Sequence, residues 1–572
     1  MEAARSEIPV EGQPPGPSRW KAGLTEVAAA FALPLLLYVV LRPESYGLAP
    51  NWFDPAFYTG YAVNFDDVLN AAGDTHYFIS RWSGYYPNYL FDIVAGPTAG
   101  RLLLRLCLAA AVLLSLWSLR RNWSWGQRIL VGVVALSLPM FARSFFTDYP
   151  EYVVVSVGVC AVCLALRERQ TVVTGLALGV LTGLMVVANP YAATVMAFPL
   201  LAALVFGARG WRGRVSLVAL VGAGALFTLA TGLLWFRWRY GISNVYQPTI
   251  DFVRNQQGVR DPLKSPRLDW LGRFTWLYSV PLLIVAYVGI ALVRRIRLLR
   301  IEWTALGICA AQYSYQWFDQ FVRDADGLEI SYYWSFVLPS TLVVLALALG
   351  RCTERVRLPA LLVGSAAWCA FLLVGVPDGL RLPAGIPLAL VLLVAVAAVV
   401  AVARWRTWAA VVLMVVLIGW TQIGAPSYDP TAYFAYNMSP AYDQMYGSAP
   451  TTSEVTFDEM LWFARQMDTV GDDATASFAP TSALAGTVVA IYGAQVSGHM
   501  LAIGPDGAPT SAQVQSIVDG ATPLAVVYGP PQTVEPVVDA LRSAVPTMSV
   551  ELDLTNPEGL GYRLVVLRSP VG

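Results

Sequence analysis

The sequence predicts an α-helical polytopic membrane protein of about 13 transmembrane helices with a small C-terminal extracytoplasmic α/β domain. Three observations lead there. The 572 residues are 56% hydrophobic and only 13% charged, with mean hydropathy +0.55, too apolar for a water-soluble globule. Apolar runs long enough, or nearly so, to cross a hydrocarbon core of about 30 Å recur between residues 22 and 424, Leu102–Leu119 and Ile386–Ala403 among them. The arginines gather in every second connector between those runs.

The runs fall near 22–41, 99–118, 129–142, 152–166, 171–187, 191–206, 215–235, 276–293, 302–316, 331–350, 358–376, 386–403 and 408–424. One set of connectors carries Arg120, Arg121 and Arg128, then Arg167 and Arg169, and so on to Arg404 and Arg406. By the positive-inside rule these face the cytoplasm. The opposite set holds the first loop (42–98), Arg143–Glu151, Asn189-Pro190, Phe236–Thr275, Phe318–Ile330 and Pro377–Gly385. An odd helix count puts the N-terminus (1–21) inside and the segment 425–572 outside. The first run lacks a small-x-small cleavage site and reads as a retained helix.

From Ala425 the chain turns rich in Pro, Tyr, Ser, Thr and Asp. Ala474–Phe478, Val488–Tyr492, Pro523–Tyr528 and Tyr562–Arg568 read as strands, and Val534–Ser543 as an amphipathic helix. The expected domains are therefore a tail (1–21), a membrane domain (22–424) with outer loops 42–98 and 236–275, and an α/β domain (425–572).

Several functions are excluded early. A net charge of zero argues against nucleic acid as a partner. The six cysteines lie in apolar runs or beside short connectors, so no disulfide framework or zinc site is expected, and Cys160 and Cys163 read as packing. Lysine occurs only at 21 and 264, a bias that fits a GC-rich bacterial genome. Ionisable residues are few in the runs and concentrate in outer loops, unlike a transporter with a midplane site.

The chemistry gathers in the first outer loop and the short outer connector after the third run. Between Leu41 and Gly100 stand Asp54, Asp66, Asp67, Asp74, His76, Arg81 and Asp92 among nine tyrosines and tryptophans. Asp54-Pro55 reads as a helix start, with aspartate as cap and proline at the first helical position. A carboxylate there, just beyond a membrane helix, is also placed to take a proton from an attacking hydroxyl. Asp148-Tyr149-Pro150-Glu151 has capping-box spacing, yet capping needs only one carboxylate. The pair, with Arg143 nearby, invites a role in positioning a sugar or a divalent cation, magnesium or manganese. Tyr58, Trp82, Tyr85 and Tyr86 suit sugar stacking or an interfacial aromatic belt. Arg237 and Arg239 open a loop with an excess of outer cations, where a phosphate is held by bidentate hydrogen bonds or the side chains snorkel. His76 is a secondary candidate, and His499 reads as structural.

Asp54-Pro55-Ala56-Phe57-Tyr58 after the first helix, Tyr85-Tyr86-Pro87-Asn88-Tyr89 before the second, and Asp148-Tyr149-Pro150-Glu151 after the third resemble the layout of the GT-C superfamily of integral membrane glycosyltransferases. Protein O-mannosyltransferases, aminoarabinose transferases and arabinofuranosyltransferases are members. The resemblance covers residues 20–210. It implies a polyprenyl-phosphate sugar donor, a glycan, lipid or protein acceptor hydroxyl, and inversion by single displacement at the outer face of a bacterial plasma membrane. By position, Asp54 matches the first-loop catalytic aspartate, and Asp148 and Glu151 match the second acidic motif, as catalytic residues or as ligands of a cation. Tyr58, Asp66, Asp67, Asp74, His76, Arg81, Arg143, Arg237 and Arg239 are the substrate-binding candidates. Two departures stand out. The family's first-loop Asp-Glu is Asp-Pro here, which leaves Asp66, Asp67 and Asp74 as rival bases. The Trp-Trp-Asp-Tyr signature of oligosaccharyl transfer is absent. A lipid-linked polysaccharide polymerase or ligase, a transporter or flippase, and a non-catalytic scaffold are the alternatives.

Overall fold

The computed structural model describes residues 19–41, 58, 61–62, 65, 77–120, 122–146, 150–208, 210–256, 278–322, 331–374, 388–422, 462–463, 465–467, 469–470, 476–481, 485, 498–500, 524–557 and 561–569. Helices account for most of it. They are α1 (Arg19–Leu41), α2 (Trp82–Ala95), α3 (Pro97–Ser118), α4 (Trp125–Ser137), α5 (Pro139–Phe146), α6 (Glu151–Ala165), α7 (Val172–Ala188) and α8 (Ala192–Ala202). There follow α9 (Gly210–Tyr240), α10 (Gln247–Gln256), α11 (Ser279–Val293), α12 (Arg300–Val322), α13 (Leu338–Cys352), α14 (Leu358–Val374), α15 (Leu388–Trp405) and α16 (Thr407–Gln422). A π turn, Ala203–Gly207, extends α8, and 3₁₀ turns cover Tyr77–Arg81 and Ser331–Phe336.

Each predicted apolar run is helical, with four differences of outline. The 129–142 run is two helices, because Pro139 cannot donate the hydrogen bond that would continue α4. The predicted first loop contains α2, whose residues Ser83 to Tyr86, Asn88 and Asp92 are buried. The loop after α9 contains α10, and α9 itself runs on to Tyr240, so Arg237 and Arg239 are its last turn. Finally, α12 continues to Val322, taking in Asp319 and Gln320, which read as connector because their polarity ends the apolar run early.

Three of the described segments are long and apolar enough by themselves to cross a membrane: Gly23–Val40, Ala99–Ser118 and Gly210–Tyr240. Helix α13 is buried on every side from Leu338 to Gly350, the signature of a helix at the centre of a bundle. Leu113 of α3, Val131 and Val134 of α4, Leu283 of α11 and Met414 of α16 share its core. The outward face of α9 leaves Leu226, Phe227 and Leu234 exposed, as lipid-facing positions are. Where α9 meets α7 the backbones touch. A Cβ on Gly179 would lie 2.2 Å from the Val221 carbonyl oxygen, and one on Gly224 would lie 2.4 Å from that of Leu176. Small residues at such spacing let membrane helices approach closely.

The ends of several helices are pinned by polar contacts. Ser124 and Gln127 form a capping box on α4, and Gln127 Nε2 also donates to the Gly350 carbonyl of α13 at 2.7 Å. Arg120, read as a cytoplasmic arginine, pairs with the fully buried Glu302 of α12 at 2.6 Å, and the other Glu302 oxygen accepts from Leu299 N at 2.5 Å. Arg128 pairs with Glu26 of α1.

In the C-terminal part, five strands form one mixed sheet in the order β2-β1-β3-β5-β4: β1 (Ala476–Pro480), β2 (Gly498–Met500), β3 (Leu524–Gly529), β4 (Ser549–Thr555) and β5 (Arg563–Arg568). Parallel pairs join β1 to β2 and β3, and antiparallel pairs join β5 to β3 and β4. Helix α17 (Pro531–Ala544) lays Val534, Val537, Val538 and Leu541 on the sheet. The predicted strand at 488–492 lies outside the described residues. Strand β4 is an addition: its Val550, Leu552 and Leu554 alternate with polar residues, but it is exposed and carries little hydrophobic weight.

Candidate functional site

The α2–α3 hairpin sets out the candidate site. Gly96 turns the chain between the helices with φ +83°. A Cβ on Gly100 would stand 2.4 Å from the Phe91 carbonyl oxygen, so only glycine lets α3 begin this close to α2. The closeness sets two rungs of buried polar side chains face to face. Asp92 accepts from Arg101 Nε at 3.2 Å, and Asn88 Oδ1 accepts from Arg105 Nη1 at 3.3 Å. Asn88 and Asp92 are one helical turn apart on α2, and Arg101 and Arg105 are one turn apart on α3.

Helix α6 closes this hairpin. Its cap, Pro150, rests on Gly84 of α2, where an added Cβ would meet the proline ring at 2.7 Å. The first residue of the helix, Glu151, is only 1% exposed, and the second, Tyr152, carries the Arg105 guanidinium 3.5 Å above its ring centre. Ser83 Oγ, next to Gly84, donates to the Leu184 carbonyl of α7 at 2.9 Å. Asn88, Asp92, Arg101 and Arg105 therefore form a buried polar cluster between α2 and α3, and Glu151 is a further buried carboxylate at the head of α6. Inside a helical membrane protein such residues mark function, because an uncompensated charge there is expensive.

An aromatic nest adjoins the cluster through α2. Tyr85 stacks on Tyr61 with ring centres 4.9 Å apart and on Phe65 at 5.7 Å. Tyr58 lies parallel to Tyr85 at 6.4 Å. Phe65 reaches Tyr240 of α9 at 4.9 Å and Tyr86 edge-on at 5.3 Å. Trp235 Nε1 donates to Tyr86 Oη at 2.9 Å, and Ser80 Oγ donates to the Val245 carbonyl at 2.8 Å. The end of α9 and the chain after it are thereby fixed to the start of α2.

The sequence candidates fall as follows. Glu151 is buried at the head of α6, next in the chain to the Tyr152 that Arg105 covers. Tyr58 is fully buried in the nest, four residues after Asp54 in the chain. Arg81 is half-buried at the head of α2. Arg237 and Arg239 are exposed and follow Phe236, a nest residue, in the last turn of α9, and Arg239 lies over the Tyr240 ring at 5.3 Å. Arg143 belongs to α5. Asp54, Asp66, Asp67, Asp74, His76 and Asp148 lie outside the described residues, although Phe65 of the nest immediately precedes Asp66. Among the described residues no three His, Cys, Asp or Glu side chains converge as a metal group. Of the pair expected to hold a cation, Glu151 alone is described.

Asn88, Arg101 and Arg105 were not among the sequence candidates, and Asp92 was named in the first loop without a role. Their signal was present: two arginines four residues apart inside an apolar run, mirrored across Gly96 by Asn88 and Asp92. Charges within a predicted span warrant that reading.

No protein-family model and no curated protein matches this chain. Among solved structures it is similar to ArnT from Cupriavidus metallidurans in the apo state, with 14% identity and TM-score 0.48, covering 96% of this chain and 98% of that one. It is also similar to a mutant of the arabinofuranosyltransferase AftD from Mycobacteria, with 14% identity and TM-score 0.47, covering 97% of this chain and 42% of that one.

Proposed function

We propose that this chain is a membrane-embedded glycosyltransferase that moves a sugar from a polyprenyl-phosphate donor to an acceptor hydroxyl at the extracytoplasmic face. The observation that carries the reading is the buried cluster of Asn88, Asp92, Arg101 and Arg105 in the α2–α3 hairpin, with a further buried carboxylate, Glu151, at the head of α6, the helix packed on that hairpin. Arg101 and Arg105 fall in the first half of α3, and by the arginine alternation this is the outer half. That position suits chemistry at the membrane surface better than a midplane transport site.

In the proposed reaction the acceptor oxygen attacks the anomeric carbon as the bond to phosphate breaks, and the carboxylate of Asp54 receives the acceptor proton. The phosphate leaves with the bonding pair and needs no general acid; cations near it ease the build-up of charge. Arg237 and Arg239, exposed at the end of α9 beside the nest, are assigned to that phosphate. Asp148 and Glu151 are assigned to holding the sugar, with a magnesium or manganese ion as a further occupant of that pair. The cell-envelope glycan, lipid or protein that receives the sugar is the partner.

The test is turnover of a panel of radiolabelled polyprenyl-phosphate hexoses and pentoses by the purified protein with crude envelope acceptor. The expected result is one donor class consumed and a product of inverted anomeric configuration. Product with retained configuration, or no turnover of any donor, overturns the reading.

A further inference from the structure

Helix α9 packs closely on α7 through Gly179 and Gly224, and it meets α8 chiefly at the π turn that ends that helix. Over Ala203–Gly207 the backbone bonds skip one residue further than in an α-helix, Ala208 N donating to the Ala203 carbonyl at 3.1 Å. Such turns recur at functional sites. Here a groove of about 520 Å³ opens between the two helices. Leu201, Leu204 and Val205 form one wall, and Arg214, Val215 and Val218 form the other.

The groove is apolar along its length and cationic at one end. Arg214 stands nearest the start of α9, and an arginine in such a place lays its methylenes along the wall while its charge reaches the surface. A second cation lies on the other wall. The Arg300 guanidinium sits 4.8 Å from the ring centre of Phe206, the neighbour of Val205, and its Nη2 donates to the Phe206 carbonyl at 3.5 Å. Both arginines are exposed, and neither has a carboxylate partner among the described residues. Trp211 shares the Arg214 face of α9 one turn earlier, and Trp303 follows Arg300 by one turn on α12; both are exposed. Tryptophans placed so mark the headgroup level of a bilayer.

The walls extend over about one turn of each helix, roughly 6 Å, which is too short to seat a transmembrane helix of a partner. An alkyl chain fits a slot of carbon, and two uncompensated cations at a single end call for an anionic head. We propose that the α8–α9 groove binds an anionic phospholipid of the cytoplasmic leaflet, its phosphate held by Arg214 and Arg300 and an acyl chain lying between the walls. The arginine alternation places this end of α9 on the cytoplasmic side, where cations beside a membrane helix attract anionic lipid. Arg237, assigned to the donor phosphate, lies roughly 35 Å further along α9, so the lipid site is separate from the transferase reading and does not rest on it.

The experiment is native mass spectrometry of the full-length protein in detergent, titrated with phosphatidylglycerol or with phosphatidylcholine of the same chains. Wild type should retain phosphatidylglycerol about tenfold more tightly. Arg214→Gln should lose about fivefold of that affinity, the worth of one cation beside a lipid headgroup, and leave phosphatidylcholine unchanged. Val218→Trp fills the groove from an exposed position and should weaken both lipids at least fivefold, with an unchanged thermal midpoint; Leu201→Trp, from the opposite wall, should do the same. Arg169→Gln, an exposed arginine of the α6–α7 connector, should bind as wild type does. Equal retention of the two lipids by wild type, an equal loss in Arg169→Gln and Arg214→Gln, or unchanged binding in Arg214→Gln or in both tryptophan variants overturns the site. Displacement of phosphatidylglycerol by an equal concentration of polyprenyl phosphate overturns the phospholipid assignment and gives the groove to the donor's lipid instead.

Discussion

At the scale of single residues, the site depends on positions where nothing larger fits. Gly84→Ala would drive a methyl group into the Pro150 ring, which is rigid and sits on the helix that presents Glu151. The expected outcome is at least a tenfold fall in turnover with the protein still present in the membrane fraction, read by donor release against immunoblot. The Asp92–Arg101 pair makes a second residue-scale case. Arg101→Ala leaves a buried carboxylate without its cation, and such losses cost about 3–5 kcal/mol. The thermal midpoint in detergent should fall clearly for Arg101→Ala or Asp92→Ala. The double variant Asp92→Leu/Arg101→Met, which removes both charges, should recover much of the loss. A double variant no more stable than the singles would contradict the pairing. Glu151 was legible in the sequence because its motif stands at the mouth of an apolar run. Arg105 stood out only as a charge in an apolar run; its pairing with Asn88 was not legible, because it depends on how tightly Gly100 closes the hairpin.

At the scale of elements, helix ends decide more than helix middles. Glu302 both receives Arg120 from the α3–α4 connector and caps the backbone at Leu299, so it joins two parts of the bundle distant in sequence. Glu302→Gln should lower the thermal midpoint markedly, and Arg120→Ala should do the same without an added effect in the double variant. Additive losses would show that the two side chains act apart. The β4–β5 edge supplies a pH-dependent case. Arg563 makes a two-pronged contact with Asp553 at 2.8 Å and 2.8 Å, and this hydrogen bonding holds the Asp553 carboxyl below its ordinary value of 3.8. A depressed carboxyl contributes stability above its unfolded value and loses it as the pH falls through the lower folded one. The contribution is small because the pair is exposed. Full-length Asp553→Asn should match wild type in thermal midpoint at the lowest pH and fall slightly below it at neutral pH. The apolar runs located most of the described helices because hydrophobicity is continuous along them. They missed α2 and α10, which mix aromatic with polar residues, and they cut α12 short where its polar residues begin.

At the scale of the whole molecule, a helical bundle presents the buried polar pairs of the α2–α3 hairpin, packed against α6, with an aromatic nest around Tyr85 and Tyr86 of α2. Half of the sequence candidates, Asp54 foremost, belong to the chain on either side of that nest or just before α6, outside the described residues. Their assignment rests on motif and chain position, whereas that of Glu151 also rests on burial and neighbours. The layout of helices was thus more legible than the chemistry, because a span needs only composition whereas a site needs contacts between distant segments. The measurement that bears most directly on the central claim is release of polyprenyl phosphate from a radiolabelled polyprenyl-phosphate sugar by wild type, Asp54→Asn and Glu151→Gln. The expected result is release by wild type, a loss of a hundredfold or more in Asp54→Asn, within the range expected for a general base, and a large loss in Glu151→Gln with the protein folded. Equal release by all three proteins would contradict the account.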